Sequence, residues 1–383
     1  MTETWALAAL WIGLGLFAAL VSIWLRVATA LSEIVIGTIA GALFGTAFLS
    51  VDAPWIKFLA GAAAIVLTFL AGAELDPEVF RRKWKEATAV GLISFFAPFL
   101  ACAAAARWLL GWDVMASWLA GVAMSTTSVA VVYAVMIEFG FNTTDYGKTV
   151  LAACFITDLG TVVALGLIFA PFTLKTVLFV GAMVAVCLAL PWITPRLFRR
   201  YGGRASEIEA KFLLLALFGL GALAAWADSE AVLPAYVLGM ALAGTVGRDH
   251  VLVRRLRTLC FGLLTPFYFI RAGSFISLPA LAAVPGGFLV MLVTKVAAKM
   301  AGVYPVTQAF RSPPKEGMYT TLLMSTGLTF GTISSLFGLS HGVVDQGQYS
   351  VLVAAVIASA VVPTLIANAY FMPRHLLPAQ ELK

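Results

Sequence analysis

Apolar stretches about twenty residues long recur along the whole chain, parted by short polar links. This recurrence fixes the fold class before any motif is read. An α-helix rises about 1.5 Å per residue, so about 20 apolar residues match the hydrocarbon core of a bilayer. Candidate spans lie near 5–25, 30–50, 55–73, 87–109, 114–136, 148–170, 173–194, 209–227, 231–246, 258–278, 284–303, 317–337 and 349–371. Within lipid the backbone must satisfy its own polar groups, and segments of this length do so as helices. The expected architecture is an all-α polytopic membrane protein with 13 transmembrane helices. An odd number puts the termini on opposite sides.

Composition supports this. Of 383 residues 61% are hydrophobic and 11% charged, whereas a soluble domain carries charge at roughly a quarter of its positions. Lipid has to cover the surface that charge does not. The net charge of +6 does not signal nucleic acid, because the basic residues form short runs between apolar stretches, such as Arg81, Arg82, Lys83 and Lys85, or Arg254, Arg255 and Arg257. With the N-terminus outside, cytoplasmic loops and tail hold 19 of the 25 Lys and Arg residues. The external loops hold three, Lys57, Arg107 and Lys175. That asymmetry is the positive-inside pattern. The expected orientation is N-terminus outside and C-terminus cytoplasmic, and the expected location is a bacterial inner membrane. The opening residues lack the basic region of a cleaved signal, so the first span is expected to remain. No connection is long enough for a soluble domain, so residues 1–383 are expected to form a single membrane domain. The four cysteines lie in or beside apolar segments without metal spacing, and the three histidines fall in loops or the tail. No cofactor is expected.

Thirteen spans permit an inverted repeat in which spans 1–6 and 8–13 form two six-helix units. Matched features support it. Span 5 contains Ser125, Thr126, Thr127 and Ser128, and its counterpart, span 12, contains Ser325, Thr326, Gly327 and Thr329. Such polar and small runs in mid-span suit helices that break, where hydroxyls satisfy the freed backbone groups. Two breaks meeting at the midplane would offer carbonyls and hydroxyls to a desolvated cation. Close helix packing through small residues is the competing explanation.

Charges inside spans are costly and mark function. Asp158 is at the middle of span 6, preceded by Thr157. Removing a carboxylate from water disfavours its charged form, which brings proton exchange towards neutral pH. One carboxylate able to hold either a proton or Na⁺ or K⁺ suffices for antiport. Lys295 and Lys299 lie four apart on span 11, available to neutralise a carboxylate or cap broken helix ends, with Lys299 nearer the cytoplasm and able to snorkel. Arg271, in span 10, cannot carry a transported proton, so a structural ion pair with Glu74 is the expected role.

At these residues the sequence resembles the Kef-type branch of the monovalent cation–proton antiporter superfamily. Phe69-Leu70-Ala71-Gly72-Ala73-Glu74-Leu75-Asp76 resembles the family's FLxGxELD segment, and Ser125-Thr126-Thr127-Ser128 its SSTA break. Thr157-Asp158 takes the place of an Asp-Asp or Gln-Asp pair. Ala298-Lys299-Met300-Ala301-Gly302 resembles GKxxG, making Lys299 the family lysine. Tyr236-Val237-Leu238-Gly239 with Ala243-Gly244, Pro266-Phe267-Tyr268-Phe269, and Val362-Pro363 match further family segments in order.

The resemblance implies a homodimer and an elevator-like mechanism. A moving core (approximately 87–170 and 284–371) would work against a dimerisation scaffold (approximately 5–73 and 173–278). Thr157 departs from the family's leading acid or amide, so a single carboxylate would exchange one proton for one cation, electroneutrally. The cytoplasmic nucleotide-binding domain of many Kef-type proteins is not expected here, although a separate regulatory subunit could take its place. A sodium-coupled organic-anion symporter of related fold is the alternative, with Arg271, Lys295 and Lys299 binding the anion. An intramembrane enzyme lacks support, because no histidine lies inside a span.

Overall fold

The computed structural model describes residues 2–25, 29–73, 77–141, 144–169, 173–227, 229, 232–283 and 285–376. All regular elements among them are helical. In chain order they are α1 (Thr2–Leu25), α2 (Thr29–Phe48), α3 (Pro54–Ala73), α4 (Pro77–Trp108), α5 (Val114–Ser125), α6 (Val129–Glu138), α7 (Asp145–Phe169), α8 (Leu174–Tyr201), α9 (Ile208–Trp226), α10 (Val232–Leu242), α11 (His250–Leu259), α12 (Thr265–Ser274), α13 (Leu278–Ala283), α14 (Pro285–Ala309), α15 (Pro314–Met324), α16 (Thr329–Ser340) and α17 (Gln346–Ile366). Ten helices among the described residues are long and apolar enough to cross a membrane, with α15 and α16 taken as one; two shorter apolar helices, Val114–Ser125 and Pro234–Gly247, accompany them. The protein is a multi-pass membrane protein. Its outward side chains suit lipid: Leu174, Leu188 and Trp192 of α8 are 75%, 72% and 72% exposed.

Helix starts are set by local chemistry. Asp113 caps α5 by accepting from the N–H groups of Met115 and Ala116, and Asp345 and Gln348 form a reciprocal capping box on α17.

Several segments expected as uninterrupted helices contain π-helical turns, at Ala243–Gly247, Cys260–Leu264 and Ala367–Phe371. The second directly precedes Thr265-Pro266. A proline has no N–H to donate to the preceding turn, which favours widening there. Hydropathy measures length but is blind to such changes of helical phase.

The chain divides into two compact units. One comprises Met1–Trp24, Ser32–Pro77 and Leu165–Ser274. Within it α3 packs on α10 and α12. Gly72 and Gly239 let α3 and α10 approach until a Cβ on either would strike the other helix's backbone. Trp11 stacks on Phe267 at 5.5 Å and donates its indole N–H to the Leu49 carbonyl at 3.0 Å.

The other unit comprises Leu25–Leu31, Glu78–Ala164 and Phe275–Lys383. In it α16 packs against α5 and α17, and α14 against α15 and α17. Gly91 of α4 is the close point to α7, where an added Cβ would lie 2.6 Å from Ile156 Cβ and 2.8 Å from the Ala153 carbonyl.

Candidate functional site

Two interrupted helix pairs lie in the second unit. Helix α5 ends at Ser125 and α6 begins at Val129; α15 ends at Met324 and α16 begins at Thr329. The interruptions are bonded to one another. The Ser128 N–H donates to the Thr326 carbonyl at 3.2 Å, and the Thr127 hydroxyl donates to the Met324 carbonyl at 2.8 Å. Ser125, Thr126, Thr127, Ser128, Ser325, Thr326 and Gly327 thus form one buried polar junction, with Thr329 partly exposed at its edge. Most of its hydroxyls spend their proton on the preceding turn: Ser125 on Val122, Thr126 on Ala123, Ser325 on Thr321 and Thr326 on Leu323. Their oxygen lone pairs remain free to accept.

Lys299 belongs to this junction. Its ammonium donates to Ser94 Oγ at 2.7 Å, to the Ser125 carbonyl at 3.0 Å and to Thr127 Oγ1 at 3.0 Å. All three protons are used, and the side chain has no exposed surface. Lys299 therefore does not take the snorkelling route open to it: the carbonyl end of α5 is its partner instead. Lys295, one turn earlier and also fully buried, donates to Ser359 Oγ at 3.0 Å.

Asp158 is 1% exposed, and its Oδ1 has no hydrogen-bond partner. It has no ion pair within 4.0 Å to either lysine. One turn along α7, Thr161 Oγ1 lies 3.2 Å from Ser125 Oγ, which sets this face of α7 against the end of α5. Thr157 directs its hydroxyl to the carbonyls of Gly91 and Ala153, each at 3.1 Å, and so ties α7 to α4.

Sequence reasoning missed Thr161, Ser94 and Ser359. The available signal was a hydroxyl inside an apolar span, at helical spacing from Asp158 in the case of Thr161.

Arg271 lies in the first unit. Its Nε donates to the Val51 carbonyl at 2.9 Å and its guanidinium is 3.7 Å from Asp52 Oδ1. Glu74, its expected partner, lies outside the described residues. A second buried carboxylate was overlooked. Glu33, at the start of α2, is 2% exposed and accepts from Thr265 Oγ1 at 3.3 Å, with Oε2 unpartnered. No group of three or more His, Cys, Asp or Glu residues able to hold a metal occurs among the described residues.

A multi-pass helical protein with a buried, unpaired carboxylate beside two interrupted helices has the build of a secondary transporter. The family profile described as "Sodium/hydrogen exchanger, transmembrane" matches residues 14–372, and the chain belongs to that family. It is 23% identical over 362 residues to the probable Na⁺/H⁺ antiporter 3 of Methanocaldococcus jannaschii, covering 90% of this chain and 91% of that one. It is 26% identical over 338 residues to the glutathione-regulated potassium-efflux system protein KefC of Enterobacter sp. strain 638, covering 82% of this chain but 52% of that protein. The solved structure of the sodium proton antiporter MjNhaP1 from Methanocaldococcus jannaschii has the same fold, with a TM-score of 0.73 at 18% identity over 98% of this chain and 99% of that one. These relatives are transporters, not enzymes.

Proposed function

We propose that this protein exchanges H⁺ for a monovalent cation, Na⁺ or K⁺, with Asp158 as the site both ions share. The observation that carries this reading is the buried Asp158 carboxylate with its unpartnered Oδ1. A charge that the fold leaves unsatisfied is a charge available to a cargo ion. The hydroxyl oxygens of Thr157, Thr161 and Ser125, whose protons point at other acceptors, supply neutral ligands. A dehydrated cation there is held by oxygen, and a proton on Asp158 displaces it. The named relatives support Na⁺ as cargo, and KefC supports K⁺.

The same reading assigns the two units their roles. The unit containing Asp158 is the elevator-like moving core, and the other is the scaffold of a homodimer. Thirteen spans in two inverted repeats, in a bacterial inner membrane with the N-terminus outside, complete the proposal. A separate regulatory subunit is compatible with it. Organic-anion symport fits less well, because Lys299 has already given its three protons to Ser94, Ser125 and Thr127, and Arg271 is engaged by Val51.

The test is a pH gradient followed in inside-out vesicles while Na⁺, Li⁺, K⁺ or Rb⁺ is added, for wild type and Asp158→Asn. Dissipation by one cation in wild type, absent in the variant, is the expected result. Full exchange by Asp158→Asn would remove Asp158 from the mechanism.

A further inference from the structure

A groove lies between the end of α4 and the start of α5, away from the broken helices, and encloses about 390 Å³. That is within the range of cavities that hold a ligand, roughly 300–1,000 Å³. Leu100, Ala103, Ala104, Arg107 and Trp108 line one side of it. Spaced by three and four, they form a single stripe along α4. Val114, Ser117 and Trp118 form the facing stripe on α5. The two alanines leave the floor low, while Leu100, Trp108 and Trp118 stand as walls. Trp118 is stacked on Phe99 with ring centroids 5.5 Å apart, so its wall is in place before any guest arrives. Ser117 gives its one hydroxyl proton to the Asp113 carbonyl at 2.6 Å. Apart from Arg107, then, the lining donates nothing to a guest and offers it apolar contact.

The charge sits at one end. Arg107 is in the last turn of α4, and Leu100 lies about 10 Å further along the same helix. The apolar span of α4 ends at Trp108, so Arg107 is at headgroup depth and Leu100 is among the acyl chains. Arg107 Nη1 donates to the Trp112 carbonyl at 2.9 Å, which holds the guanidinium beside the loop that joins the two helices. No carboxylate among the described residues lies within 4.0 Å of it. Asp113, the nearest acid along the chain, spends Oδ1 on capping the Met115 and Ala116 N–H groups. Arg107 thus keeps N–H groups and a full charge for an anion, and a planar guanidinium suits phosphate. We propose that this groove binds an anionic phospholipid, with its phosphate on Arg107 and one acyl chain between α4 and α5. The walls at Leu100 and Trp108 are exposed on a membrane-crossing helix, where the molecules at hand are lipids. Charge at headgroup depth above apolar walls matches a phospholipid in both position and polarity.

The experiment offers the purified full chain, in detergent, phosphatidylglycerol or phosphatidylcholine with the same acyl chains, and counts bound lipid by native mass spectrometry. Wild type is expected to prefer phosphatidylglycerol. Arg107→Gln is expected to lose roughly fivefold in phosphatidylglycerol affinity, the size expected for one arginine at an anionic lipid, with phosphatidylcholine binding unchanged. Arg107→Lys keeps the charge and most of the preference. Ala104→Phe raises the floor and displaces either lipid. Lys57→Gln and Lys175→Gln leave the preference intact. A preference undiminished in Arg107→Gln overturns the proposal, as does undiminished lipid binding by Ala104→Phe. An equal loss in Lys57→Gln or Lys175→Gln overturns it too, because any nearby charge would then suffice. If Ala104→Phe does not fold, Arg107→Gln decides alone, since it alters an exposed side chain. Conversion of a dimer to a monomer by either variant, with lipid binding unchanged, would make a second copy of the chain the occupant and overturn the lipid assignment.

Discussion

The ammonium of Lys299 lies 3.0 Å from the carbonyl of Ser125, the last residue of α5. The C-terminal end of a helix carries partial negative charge and unpaired carbonyls, and in mid-membrane no water is at hand to satisfy them. Lys299 supplies that missing donor and ties Ser94 of α4 and Thr127 into the same knot. Replacing it by Met leaves buried polar atoms without partners, at a cost of about 2–4 kcal/mol. Thermal unfolding in detergent is expected to show Lys299→Met clearly destabilised. A wild-type unfolding temperature for Lys299→Met would mean that the junction does not depend on this cap.

Asp158 should behave in the opposite way. Its Oδ1 is buried without a partner, so the fold bears a cost for this side chain, which on the proposed function a bound cation offsets. Asp158→Asn, nearly isosteric and uncharged, is expected to unfold at or above the wild-type temperature in ion-free buffer while losing exchange. Added cation is expected to stabilise wild type and not the variant, as mass action requires of a ligand bound only by the folded wild type. Marked destabilisation of Asp158→Asn would show that the carboxylate is a structural member.

Much of this was legible in the sequence because the signals are local. A carboxylate in mid-span, and runs such as Ser125 to Ser128 and Ser325 to Thr329, stand out against apolar neighbours without any knowledge of packing. The partners were not legible. That Thr127 reaches the Met324 carbonyl, or that Lys299 rather than water serves Ser125, depends on residues separated by 197 and 174 positions coming together. Glu33 escaped for a related reason. Near the end of an apolar segment a carboxylate reads as an interface residue; its burial comes from packing, beside Thr265 from 232 positions away. The π-helical turns were invisible because three turns of π-helix cost almost nothing in hydropathy.

A cavity of about 240 Å³ opens in the unit that holds Asp158, lined by groups that include Lys83, Glu86, Asp145, Tyr146, Thr149 and Glu316. Val90 and Ala153 also line it, and the Ala153 carbonyl accepts from Thr157, so a lining residue is bonded to Asp158's chain neighbour. If water and ions reach the site by this path, Thr149→Cys made in a Cys187→Ala background should react with a charged thiol reagent in inside-out vesicles, and the adduct should slow exchange. The other cysteines, Cys102, Cys154 and Cys260, are buried and give little background. Absence of labelling would assign the aqueous path elsewhere.

The last expectation concerns charge. Thr157 stands beside Asp158 where a second acid would otherwise be, and its hydroxyl is committed to the Gly91 and Ala153 carbonyls. Asp158 is then the single carboxylate at the centre of its helix available to carry an ion. One carboxylate that binds either one proton or one monovalent cation has the same charge loaded either way, so a full cycle moves no net charge. Lys299 does not alter the balance, because all three of its protons are engaged in holding the junction. Exchange is therefore expected to leave no transport current on a solid-supported membrane, and an imposed membrane potential should not change its rate. A current that scales with turnover and disappears in Asp158→Asn would require a second proton per cycle. Comparing Lys295→Gln and Lys299→Arg would then show which lysine releases it.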